Sequence, residues 1–103
     1  MLLLFADPAS RDLDEIIDYI AIDNPAAAER IFRAILVTAG RLEKFPNIGR
    51  AGRIPGTREL SISGLPYLLV YEVNSDAVII LAVFHTSRDL MRALEARQNE
   101  LKS

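Results

Sequence analysis

Cysteine is absent from the 103 residues, and histidine occurs once. The first absence removes disulfides and thiolate metal sites, and the second removes a clustered histidine site. Carboxylates remain as oxygen ligands, but the acids do not follow a calcium-loop spacing. Neither a metal nor a cofactor is expected. A basic excess is missing too: 12 Lys and Arg stand against 14 Asp and Glu, for a formal net charge of -2. Proteins that grip RNA or duplex DNA unaided draw most of their affinity from neutralising phosphate. Nucleic acid is therefore not expected as the sole partner. No apolar run nears the ~20 residues of a membrane span. The apolar start, residues 1–6, meets Asp7-Pro8 too soon to act as a secretory leader. A soluble, cytoplasmic chain that contacts no membrane is the expectation.

What is present suffices for one compact domain over residues 1–103, since half of the residues are hydrophobic. Residues 2–5 read as a strand. Asp7 with Pro8 reads as an N-cap and first helical position. Beyond it Ala9, Leu13, Ile16, Ile17 and Ile20 share one helical face, while Arg11, Asp12, Asp14, Glu15 and Asp18 share a wet one, with Arg11 within reach of Glu15. Asn24-Pro25 repeats the start signal. A second helix follows, burying Ala28, Ile31, Phe32, Ile35, Ala39, Leu42 and Phe45 and ending at Phe45 before Pro46. So short a link predicts an antiparallel helical hairpin.

Residues 47–56 hold Gly49, Gly52, Pro55 and Gly56 and read as a loop carrying Arg50 and Arg53. Three strands are predicted next, at 58–63, 67–74 and 77–85. The first alternates Leu60 and Ile62 with Glu59, Ser61 and Ser63, which implies one wet face. The other two are nearly continuous apolar runs, as central strands are, joined by the turn Asn74-Ser75-Asp76. Thr86 to Asp89 offers a capping box for a last helix, along which Leu90, Met91, Leu94 and Leu101 form a stripe.

This order delivers arginines, tyrosines and the one histidine to a single sheet. The most specific pieces are Asn24-Pro25-Ala26-Ala27-Ala28, Pro46-Asn47-Ile48-Gly49-Arg50, Gly56-Thr57-Arg58-Glu59-Leu60, Pro66-Tyr67-Leu68-Leu69-Val70-Tyr71, and Val83-Phe84-His85 with Arg88-Asp89. In that order they resemble the ParE/RelE superfamily of toxins from bacterial toxin–antitoxin pairs, and ParE more closely than RelE. The resemblance implies an α+β fold, β-α-α-β-β-β-α, with an antiparallel-rich sheet, an N-terminal helical hairpin and a C-terminal helix. It implies a ParD-like antitoxin as partner and DNA gyrase as target, reached by protein binding, with nucleic acid touched only through those partners. The alternative is a RelE-like, ribosome-dependent RNA-cutting enzyme using Arg58, His85 and Arg88. Cutting members commonly carry an arginine where this chain has Leu68, and they are lysine-rich, whereas here only Lys44 and Lys102 occur. A binding protein without a catalytic residue is therefore the expectation.

The residues expected to meet target or antitoxin are Arg50, Arg53, Arg58, Tyr71, His85, Arg88, Leu90, Met91 and Leu94. The three early arginines read either as a cationic patch for phosphate or acidic side chains or as ordinary surface ion pairs. His85 could shuttle protons or hydrogen-bond backbone at a strand–helix junction. Tyr67 and Tyr71 share a face with Leu69 and Val73, as core tyrosines do. Two apolar central strands need cover on both faces. An antitoxin segment is expected to supply part of it, near a groove bordered by the hairpin.

Overall fold

A computed structural model describes residues 1–102. Eight elements follow in order: β1 (Leu2–Phe5), α1 (Asp7–Asp23), α2 (Pro25–Arg41), β2 (Arg50–Ala51), β3 (Arg58–Ser61), β4 (Tyr67–Val73), β5 (Ala77–His85) and α3 (Leu90–Lys102). The strands form one sheet in the order β1-β5-β4-β3-β2. β1 runs parallel to β5 and the other pairings are antiparallel. The α+β, antiparallel-rich architecture is the expected one.

Several local details differ. Ala6 is the N-cap of α1 without a side-chain cap, and Asp7 already lies inside the helix. Asn24 does cap α2, accepting from the Ala27 N–H at 3.0 Å. α2 stops at Arg41; Leu42 is its C-cap, and tight turns carry the chain outward so that Phe45 is exposed. Residues expected in a loop form β2, whose two pairs set Arg50 opposite Glu59 and Ala51 opposite Arg58. β3 ends at Ser61. α3 is capped by Asp89, which accepts from the Arg92 N–H, and not by Thr86.

Period two sorts the strands cleanly. Tyr67, Leu69 and Tyr71 of β4 pack with Val78, Ile80 and Val83 of β5 beneath α1 and α2, joined by Leu13, Ile35, Ala39 and Leu42. Leu68, Val70, Ala82 and Phe84 face the other way and pack with Ala93 and Leu94 of α3. The ladder pairs Val70 with Ala82 but Tyr71 with Ile80, so Leu81 has no opposite: it is a β-bulge.

β1 matches β5 only as far as Ile80, so β5 presents an unpaired edge beyond that point, a hazard that proteins must cover. Two side chains cover it. Asp12 of α1 accepts the Val83 N–H at 3.0 Å, and Arg97 of α3 donates to the Leu81 carbonyl at 2.9 Å. The two meet each other through a bidentate pair at 2.7 Å per contact. The clamp thus ties both helical layers around the sheet edge. Arg11 pairs with Glu100 beside it, and not with Glu15.

Candidate functional site

The side of the sheet that α3 covers is only partly filled. A groove of about 360 Å³ remains, floored by Val70 and Ala82 and walled by Ile54, Pro55 and Thr57 on one side and Leu94, Arg97 and Leu101 on the other. Apolar recesses with a few polar groups at the rim are ordinary ligand or peptide sites. This one lies on the face of the sheet opposite the helical hairpin. Each wall is held by an ion pair.

The first wall depends on Glu59. Its β3 neighbours alternate, so the sequence pattern makes its face wet, yet the side chain is 1% exposed. The reason is the loop ahead of it. The Arg53 N–H donates to Glu59 Oε2 at 2.9 Å, the Arg53 guanidinium pairs with Oε1, and Arg50 adds a third contact at 3.1 Å. An isolated buried carboxylate would be strongly disfavoured, and these donors satisfy it. Of the two readings of these arginines, Arg50 and Arg53 form ion pairs, both with the buried Glu59. Arg50 makes this contact with 60% of its side chain still exposed.

Below this lock, Tyr71 fastens the same loop. Its hydroxyl donates to the Pro46 carbonyl at 2.8 Å and accepts the Gly49 N–H at 2.9 Å. A Cβ at Gly49 would lie 2.6 Å from that hydroxyl oxygen and 2.8 Å from the Glu59 carbonyl oxygen, so only glycine fits there. Arg58, across the ladder from Tyr71, donates to the carbonyls of Gly49 and Asn47. Tyr71 is fully buried. It is scaffold, and its expected contact with a partner is corrected on that ground.

The second wall depends on Arg97, which lies over the Phe84 ring as well as against Asp12. The hydrogen bond to Asp12 raises its pKa above the ordinary value, against the opposing effect of burial. Glu100, hydrogen-bonded by Arg11 and paired with Arg97, is held below the ordinary carboxylate value. Along α3, Leu94 is buried and Leu90 packs at the edge of the same cluster. Met91 turns outward and is exposed, whereas Leu94, though buried, lines the groove.

Arg58, His85 and Arg88 do not converge. His85 is across the ladder from Tyr67, and Arg58 from Tyr71, four residues further along β4. At about 3.3 Å per residue this separates the two backbones by roughly 13 Å along the strand alone. The His85 ring meets the Tyr67 ring edge-on at 5.3 Å, on the hairpin side. Arg88 lies 4.7 Å from the Phe84 ring centroid on the α3 side. His85 Nδ1 accepts the Ser87 N–H at 3.0 Å, the strand–helix junction contact weighed against catalysis above. Sequence reasoning missed Glu59, Asp12 and Arg97. An acid shortly after two loop arginines was the available signal for Glu59; nothing local marked the other two.

The family model for the ParE toxin of the type II toxin–antitoxin system parDE matches residues 3–90. "Putative toxin Y4kP" of Sinorhizobium fredii (strain NBRC 101917 / NGR234) is 41% identical over 86 residues, covering 84% of this chain and 88% of that protein. Among solved structures, a chain of the chromosomal ParDE TA system from P. aeruginosa superposes with a TM-score of 0.76 at 25% identity, over 82% of this chain and 95% of that one.

Proposed function

The chain belongs to the ParE toxin family of type II toxin–antitoxin systems, and from that premise we propose that it acts by protein recognition: it inhibits DNA gyrase and is neutralised by a ParD-like antitoxin. The observation that carries this reading is the contrast between a formed groove and an unformed catalytic centre. RNA cleavage needs a base, an acid and phosphate-binding cations within reach of one reacting phosphate. Arg58, His85 and Arg88 are instead spread over two sheet faces and two ends of β4. The groove offers apolar floor residues, Val70 and Ala82, with Lys102 in its lining for an acidic side chain.

In this reading the antitoxin lays a segment that folds on binding into the groove between the Ile54–Thr57 wall and α3. Because it binds only the folded toxin, it raises the toxin's melting temperature by mass action. Gyrase supercoiling assays with purified toxin, and with toxin plus antitoxin, test the proposal. Loss of supercoiling that the antitoxin restores is the expected result. Unimpaired gyrase with folded toxin, together with messenger RNA cuts in ribosomes that vanish in His85→Ala, would overturn it in favour of the RNA-cutting alternative. Equal melting temperatures with and without saturating antitoxin would overturn the neutralisation half.

A further inference from the structure

α2 carries more apolar side chains than the core consumes. Ala28, Ile35 and Ala39 are buried beneath it. Phe32, Leu36 and Val37 lie on a separate flank and are exposed. Together with Glu29 and Arg33 they line a shallow depression formed by this one helix. A helix with a second apolar stripe outside its core stripe has a surface still to cover. The spacing 29, 32, 33, 36 is that of a helix–helix seam.

The charges on the strip decide what fits it. It carries one acid and one base, and no net charge. A two-fold contact places one surface against itself, so it requires that kind of self-complementarity. If two α2 helices pack antiparallel about an axis beside Phe32, Glu29 of each copy faces Arg33 of the other. The two phenylalanines then meet near the axis, and Leu36 lies over the exposed, small Ala26 of its mate. Within one chain Glu29 and Arg33 already pair at 2.7 Å, both about 70% exposed. Such a solvent-exposed pair is worth only about 0.3–0.5 kcal/mol. Exchanging it for two pairs between copies costs little.

We propose that the exposed strip of α2 is a homodimerisation surface, with a second copy of this chain as its occupant. The strip lies on the hairpin side of the sheet, and the groove lies on the α3 side. A dimer formed this way leaves both grooves open and presents two of them in one particle. It would hold two antitoxin segments, or two target sites, at a fixed separation. The contact is small, below about 1,200 Å² in total, which places it in the transient class.

Sedimentation velocity on the purified full chain, from low micromolar to submillimolar concentration, tests this. The expected weight-average mass rises from 11.5 kDa towards twice that value. Leu36→Glu, with unchanged circular dichroism, stays monomeric throughout. Glu29→Arg and Arg33→Glu each weaken dimerisation by about tenfold or more, equivalent to about 1.4 kcal/mol, and the double exchange restores it. A chain that remains monomeric at the highest concentration overturns the proposal, as does a dimer indifferent to Leu36→Glu. A double exchange that fails to restore dimers overturns the antiparallel, charge-paired arrangement. Protection of the Phe32 strip by antitoxin or gyrase, with the toxin still monomeric, assigns the face to that partner and overturns the proposal as well.

Discussion

On its hairpin side the sheet is closed by apolar packing: Leu13, Ile35, Ala39 and Leu42 interlock with Leu69, Tyr71, Val78 and Ile80, all nearly or fully buried. On its other side only Ala93 and Leu94 of α3 are buried against it. There the cover is held by charged side chains, Asp12–Arg97 at one border and Glu59–Arg53 at the other. The first kind of packing is dense, so losing atoms from it leaves cavities that the whole fold registers. The second is directional and partly wet, and it positions two walls without filling the space between them. A groove proposed to receive a partner cannot be packed solid beforehand. Ion pairs at its borders let it stay open and still keep its shape.

Five variants would break or sharpen that contrast. The largest effect is expected from Ile35→Ala on the hairpin side, about 2–5 kcal/mol of global stability, read by urea unfolding with both helix and sheet signals lost together. Asp12→Ala comes next. It removes the bidentate carboxylate from Arg97, which keeps Glu100 and the Leu81 carbonyl, and the acceptor from the Val83 N–H, at a cost on the order of 3 kcal/mol. Hydrogen exchange should speed up first in α3, ahead of the global rate. Replacing both members, Asp12→Ala with Arg97→Met, should recover part of that loss. If the double variant is as unstable as the single one, the clamp is not acting as a pair.

A smaller loss, about 1–3 kcal/mol, is expected for Tyr71→Phe, which leaves the Gly49 N–H without its acceptor and the Pro46 carbonyl without its donor. Proteolysis within residues 46–57 should accelerate, and antitoxin affinity should fall with it. Smallest is the response to acid. Arg11 and Arg97 hold the Glu100 carboxyl below its ordinary value of 4.5, so its contribution is complete above that pH. The contribution is lost as pH falls through the lowered value. α3 amides should therefore lose protection in acid before those of α2, by a margin that Glu100→Gln abolishes.

The hairpin side was readable in advance because its causes are local. Asn24-Pro25, the spacing of Ile31, Ile35, Ala39 and Leu42, and the alternation in β4 each act over a few residues. The other side was not, because its causes are distant in the chain. Asp12 has the polar neighbours of a solvated helix face, and its partner lies 85 residues away. Glu59 alternates with Leu60 as a wet residue does. It is buried because the Arg53 backbone and the Arg50 and Arg53 guanidiniums close over it. Pattern reasoning assigns such a residue by its own polarity, whereas here the neighbours' donors determine its burial. The loop arginines were singled out in the sequence, but their internal acceptor was not.

The unpaired Leu81 also resets the phase of its strand. Counting along β5, even-numbered Val78 and Ile80 point under the hairpin, and then even-numbered Ala82 and Phe84 point under α3. The same residues in a strand without the bulge would keep one parity from end to end. Phe84 would then turn beneath α1 and α2, and Val83 would face α3 in its place. Forcing Leu81 into the regular ladder would therefore exchange the two sides of everything downstream, without altering one letter of the sequence.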